Sequence, residues 1–138
     1  MLDSTPARIV NVASIAHGSN IYGAYAQSKL AVVLFTRELA SRLEGTGVRT
    51  YTLHPGILPT TNISNQIKES KQGAATTLFC ALDESVAEES GFYYKDCARK
   101  EMAVQARSDR DAKRLWDESL KMVGLHDFHI KKDHKIDG

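Results

Sequence analysis

The stretch R-I-V-N-V-A-S-I-A-H-G-S-N-I-Y-G-A-Y-A-Q-S-K-L, residues 8–30, decides how this chain folds. Ile9, Val10 and Val12 form a short β-branched run, and residues 7–14 read as a parallel strand covered on both faces. Gly18, Ser19, Asn20 and Gly23 then interrupt the run and predict a loop. From Ala24 the period changes. Leu30, Val33, Leu34 and Ala40 recur at helical spacing, and Ala31, Val32 and Phe35 make Ala24–Leu43 apolar nearly all round. Such a helix must be buried on more than one side.

Working outward, Glu44-Gly45-Thr46-Gly47 ends that helix with glycine punctuation, and Val48–Leu53 reads as a second strand running into the turn His54-Pro55-Gly56. Leu58–Lys71 is polar, contains Pro59 and lacks clean periodicity, which predicts a loop with at most a short helix. Gln72–Leu82 reads as a second helix and Gly91–Lys95 as a third strand. Ser108, with Asp111 three residues on, opens a last helix with the apolar stripe Ala112, Leu115, Trp116, Leu120 and Val123, closed by Gly124. Strands alternating with helices imply an α/β fold with a doubly wound parallel, Rossmann-like sheet of three strands and three main helices. The first strand has no upstream partner in this sequence, and an apolar strand with an open edge is an aggregation liability. Residues 1–125 are therefore expected to be the carboxyl-terminal half of a larger domain, followed by a charged polar tail over 126–138.

The bulk numbers narrow the function classes. With 138 residues the chain allows one domain at most, and its 42% hydrophobic and 25% charged residues are ordinary for a globular protein. A net charge of +1 gives no broad attraction to nucleic acid or to an anionic membrane, so neither is an expected partner. No apolar run is long enough to span a membrane, and Met1-Leu2-Asp3-Ser4 does not resemble a secretion signal. Cys80 and Cys97 read as reduced thiols. The expected location is intracellular, in the cytoplasm or on the cytoplasmic side of a membrane.

The chemistry follows from placement. Tyr25 and Lys29 lie four residues apart and share one helix face. Ser14 ends its strand, and open α/β sheets bind ligands at the carboxyl ends of their strands. The 54–56 turn leaves the same end of the next strand. A phenol can move a proton at a carbonyl or alcohol oxygen, but the ordinary pKa of a tyrosine, about 10, is too high for efficient work near neutrality. An ammonium close by favours the phenolate. A serine hydroxyl can hold the substrate oxygen and stabilise charge growing there. These groups point to hydride-transfer chemistry between an alcohol and a carbonyl. Y-x-x-x-K alone is a weak pattern; its force comes from the serine-ended strand before it and the Pro-Gly-ended strand after it.

The chain resembles the carboxyl-terminal half of a short-chain dehydrogenase/reductase, closest to the retinol dehydrogenase and WW-domain oxidoreductase branch. The resemblance is carried by R-I-V-N-V-A-S at 8–14, Y-A-Q-S-K-L-A at 25–31, L-F-T-R-E-L-A at 34–40, H-P-G at 54–56, Q-G-A-A-T-T at 72–77, Asp96-Cys97 and A-K-R-L-W at 112–116. It implies a catalytic set of Ser14 as the substrate-orienting hydroxyl, Tyr25 as the general acid/base and Lys29 as the residue that binds the nicotinamide ribose and favours the phenolate. It implies cofactor contacts from Tyr25, Lys29, Pro55, Gly56, Ile57 and Thr60, with Thr61 a near alternative. The implied cofactor is NADP or NAD, with NADP favoured by the branch, and the implied substrate is an apolar, retinoid-like alcohol or carbonyl. No metal site is expected. The family's T-G-x-x-x-G-x-G turn, its N-A-G segment and its catalytic asparagine belong upstream of the serine and do not occur in this sequence; Asn11, inside the strand, does not replace that asparagine. The gap from Ser14 to Tyr25 is also shorter than the family's usual one. The competing expectation is a truncated, non-catalytic chain that acts by association. In either case a homo-oligomer formed through the Ala24–Leu43 helix is expected. His54 reads as a structural residue before a turn, Tyr22, Tyr93 and Tyr94 as packing or pocket residues, and Ser64-Asn65-Gln66 as part of a segment lining the substrate site.

Overall fold

The computed structural model of the protein describes residues 7–19, 23–56, 63–126 and 128–130, with side chains of the 63–72 segment left aside. In chain order the elements are β1 (Arg8–Val12), a 3-10 turn (Ile15–Gly18), α1 (Gly23–Arg42), β2 (Arg49–His54), α2 (Ile63–Leu82), β3 (Phe92–Lys95), β4 (Ala98–Lys100) and α3 (Asp109–Met122). The sheet order is β1-β2-β3-β4. β1, β2 and β3 are parallel, with Val10 opposite Tyr51 and Thr52 opposite Tyr93, and β4 is antiparallel to β3. The α/β class and the parallel sheet are as the sequence predicts. Among the described residues β1 pairs on one side only, and Val12 at its end is half exposed.

Alternation along the strands sorts the core onto two faces. Tyr51, Leu53 and Tyr94 pack with Cys80 of α2 on one face. Ala13 and Tyr93 pack with Val33 of α1 on the other, together with Met102 and Ala106 from the segment before α3. β2 is therefore covered on both sides, and its residues from Thr50 to Leu53 have no exposed surface. The steps from β1 to β2 to β3 run one way across the sheet while α1 and α2 lie on opposite faces. The two crossovers thus have opposite hands, and one departs from the usual right-handed rule.

The apolar girth of α1 has two destinations. One side meets the sheet through a polar strap, in which Asn11 Nδ2 donates to Thr36 Oγ1 (2.8 Å) and Thr50 Oγ1 donates to the Thr36 carbonyl (3.2 Å). The other side meets α3, where Leu39, Leu43 and Trp116 form a cluster joined by Ile9, Val48, Leu120 and Ile130. Arg42 lies over the Trp116 ring at 4.6 Å, and Phe35 stacks on it at 5.2 Å. Part of the surface expected to mediate association is thus occupied by the chain's own last helix. Ser108 caps α3 through the Asp111 amide (3.2 Å), as the sequence predicts. Arg8 closes the other end of the core: its guanidinium donates to the Cys80 and Asp83 carbonyls at the end of α2 (3.1 and 2.9 Å).

Three expectations change. The sheet has four strands rather than three. β4 escapes the sequence because Ala98-Arg99-Lys100 is short and charged, the composition of a blunted edge strand. The turn before it places Asp96 and Cys97 at φ 53° and 51° without a glycine to announce it. α2 begins at Ile63, inside the stretch predicted to be a loop. Gln66, Lys68, Glu69, Lys71 and Gln72 are strong helix formers, and their propensity outweighs the missing apolar period. Finally, Val123 is exposed and lies outside the α3 stripe, whose buried members are Ala112 and Trp116.

Candidate active site

The pairing of β1 with β2 places two chain exits side by side. Val12 lies opposite Leu53, and the Ala13 amide donates to the Leu53 carbonyl at 2.8 Å. Ser14 and His54-Pro55-Gly56 therefore leave the sheet together at the carboxyl ends of the strands, the end where such sheets bind ligands. Ser14 is buried and caps the 15–18 turn, its Oγ accepting from the Ala16 amide at 3.2 Å. That bond uses an oxygen lone pair and leaves the hydroxyl hydrogen free to be donated elsewhere. The Ser14 carbonyl accepts from the His17 amide (3.2 Å) and from His17 Nδ1 (2.7 Å). The turn packs against α1.

Tyr25 and Lys29 occupy the first two turns of α1. Between them Ala26 faces the core, so the pair lies off the buried side. Tyr25 is 52% exposed, a large accessible area for an aromatic residue. Lys29 Nζ stands 5.5 Å from the centre of the Tyr25 ring, within cation–π range. Ser28 Oγ donates to the Tyr25 carbonyl (2.7 Å), which ties down the exposed start of the helix. The structure thus brings Tyr25 and Lys29 into contact and sets Ser14 at the base of the turn packed on their helix.

Pro55 and Gly56 follow β2 directly. Gly56 has φ +107°, a conformation that residues with a side chain rarely adopt, and among the described residues nothing lies within 4 Å of where a Cβ would stand. Ile57, Thr60, Thr61 and Tyr22 lie outside the described residues, and residues 64–66 fall on α2. His54 is buried, and among the described residues neither ring nitrogen has a hydrogen-bond partner. Burial and then the neighbouring Lys95 charge lower its pKa, so the ring is neutral at pH 7. Tyr93 of β3, on the same face of the sheet, is buried with a hydroxyl that has no partner among the described residues, and burial pushes it up to about 12. Tyr94 belongs to the α2-side core.

One residue of this region escaped the sequence reading. His17 is buried, packs against Tyr93 with the two rings tilted and their centres 4.7 Å apart, and accepts the Ala103 amide hydrogen at Nε2 (3.1 Å). Its partner is 86 residues away, so no local pattern could signal it.

An open parallel α/β sheet with a serine, a tyrosine–lysine pair and a Pro-Gly turn at the carboxyl ends of its strands is the architecture of a ligand-binding doubly wound domain. The chain belongs to the short chain dehydrogenase family, whose sequence profile matches residues 1–72. It is 40% identical to human (Homo sapiens) retinol dehydrogenase 12 over 88% of this chain and 47% of that protein. It is 40% identical to human retinol dehydrogenase 11 over 89% of this chain and 47% of that protein. It is 38% identical to dehydrogenase/reductase SDR family member 13 of Bos taurus over 88% of this chain and 41% of that protein. Among solved structures, the crystal structure of an uncharacterized protein from Mycobacterium paratuberculosis superimposes with a TM-score of 0.65 at 26% identity, covering 90% of this chain and 52% of that one. The chain spans about half the length of the relatives it matches.

Proposed function

We propose that the chain carries the catalytic half of a nicotinamide-dependent oxidoreductase that interconverts an alcohol and a carbonyl on an apolar, retinoid-like substrate. The observation that carries this reading is the Tyr25–Lys29 pair, with the ammonium 5.5 Å from a half-exposed phenol ring at the ligand end of the sheet. The family and the retinol dehydrogenase names of the relatives support the same class.

In this mechanism the Ser14 hydroxyl donates to the substrate oxygen and fixes it. Tyr25 gives a proton to that oxygen in reduction or takes one in oxidation. The Lys29 charge stabilises the anion left on the Tyr25 ring, and its ammonium would hydrogen-bond the ribose of a bound cofactor. A bound nicotinamide supplies the hydride acceptor or donor. Gly56, with nothing among the described residues within 4 Å of where a Cβ would stand, fits a flat ring, and Tyr25, Lys29, Pro55, Gly56, Ile57 and Thr60 would hold it. The cofactor is NADP or NAD, with NADP favoured by the likeness to retinol dehydrogenases. The sequence contains no Gly-rich phosphate-binding turn. Residues 1–125 are accordingly assigned to one half of a two-part domain, whose dinucleotide-binding half supplies that turn and covers the open edge of β1. The test is reconstitution. The chain is co-expressed with the amino-terminal half of human retinol dehydrogenase 12, and NADPH- or NADH-linked turnover of retinal-like aldehydes is followed. Turnover that disappears with Tyr25→Phe supports the reading; a folded complex that binds cofactor and turns over equally with Phe at position 25 refutes it.

A further inference from the structure

His17 lies one turn beyond Ser14 and makes two hydrogen bonds that fix its chemical form. Nε2 accepts from the Ala103 amide, so it carries no proton, and the ring proton is on Nδ1, which donates to the Ser14 carbonyl at 2.7 Å. The Ala103 end is a firm anchor. Met102 and Ala106 are buried in the core beside Val33 and Tyr93, and Arg107 Nε donates to the Met102 carbonyl at 2.9 Å. The fit is close: a Cβ added at Gly18 would stand 2.9 Å from that of Ala103. The turn that Ser14 caps is thus clamped to a segment far along the chain, with the imidazole as the bolt.

We infer that His17 is a positioning residue for Ser14, and this rests on the reading of Ser14 as the substrate-orienting hydroxyl. The Ser14 backbone is fixed from its carbonyl by His17, and its Oγ lone pair is fixed by the Ala16 amide. With both constraints in place, the Ser14 oxygen is held in one position and its hydrogen is left to be donated to a ligand. Loss of the imidazole removes the shorter of the two bonds to the Ser14 carbonyl and the tie to Ala103, leaving only the 3.2 Å bond from the His17 amide, so the serine is held less firmly while the strand before it stays paired.

The structural arm of the test uses the 138-residue chain labelled with 15N at histidine. The His17 ring should carry its proton on Nδ1. In His17→Phe, which keeps a flat ring against Tyr93, the Ala103 amide should exchange at least about tenfold faster while Val33 and Leu53 stay protected. A proton on Nε2, or unchanged exchange at Ala103, overturns the proposal. The kinetic arm uses the reconstituted enzyme. His17→Phe should lower kcat at least about tenfold with the cofactor KM within about twofold, and should cost nothing further in a Ser14→Ala background. An equal additional loss in that background makes His17 a general stabiliser and overturns the proposal. A silent Ser14→Ala sinks the reading of the site itself, whereas a damaging Ser14→Ala with a silent His17→Phe sinks only this inference.

Discussion

Tyr25 and Tyr94 carry the same phenol into opposite settings. Tyr94 is fully buried under α2 and donates its hydroxyl to Glu89; burial first and that bond second raise its pKa far above the ordinary value. Tyr51 beside it is also buried, donates to the Val86 carbonyl at 2.8 Å and is raised by burial, partly offset by Arg8 and Arg49. Tyr25 is half in solvent with a lysine ammonium against its ring. A phenol committed to a buried bond is locked neutral and serves packing. A phenol half in solvent beside a cation is left reachable from outside the core. The contrast separates the part of the molecule that holds the sheet together from the part assigned to chemistry.

The sharpest way to break this contrast is to delete each hydroxyl. In the reconstituted enzyme, Tyr25→Phe should lower turnover by about 10²–10⁴-fold, the usual range for a general acid–base group. Circular dichroism and the melting temperature should stay at wild-type values, because the ring is exposed. Lys29→Met should come next. A charge-assisted hydrogen bond of about 1.5–3 kcal/mol corresponds to cofactor binding weaker by about 10–100-fold. The alkaline limb of the pH–rate profile should change shape as well. An unaltered profile together with an unaltered cofactor Kd would leave Lys29 as an ordinary surface charge.

Tyr94→Phe should do the reverse of Tyr25→Phe. It removes the bond to Glu89 at a core position, so urea unfolding should show a loss of about 1 kcal/mol with turnover unchanged. A comparable fall in turnover would dissolve the distinction between the two tyrosines. The smallest effect concerns pH. Burial against the tyrosine rings pushes Cys80 up to about 12 from an ordinary 9.0. Below pH 9 the thiol keeps its proton in both folded and unfolded chains. As pH rises from about 9 toward 12 the unfolded chain releases that proton first, so stability falls through this window. Cys80→Ala should flatten the fall in urea midpoints between about pH 8 and about pH 11, with Tyr93 supplying part of what remains. A slope identical to wild type would show that the thiol does not ionise differently on unfolding.

How much of this was legible depends on range. β1, α1, β2 and the cap at Ser108 rest on neighbours within a turn or a strand, so period and capping chemistry revealed them. The approach of Lys29 to the Tyr25 ring follows from a four-residue spacing on a helix. α2 began earlier than expected because propensity acted where the apolar period was silent. β4 was missed because a charged three-residue edge strand is defined by its partner, Tyr93–Lys95, and not by its own composition.

The sequence by itself determined the α/β class, the parallel order of the main strands, the family and the candidate set Ser14, Tyr25 and Lys29. These follow from local periodicities of two and about 3.6 residues and from motifs whose members are close in the chain. Tertiary structure alone decided which of the described tyrosines are sealed and which is open, that α3 shares the burial of α1 with the sheet, and that His17 bridges Ser14 to Ala103. Those facts depend on contacts between residues as far as 86 positions apart, and burial and hydrogen-bond partners at that range leave no mark on the sequence around either residue.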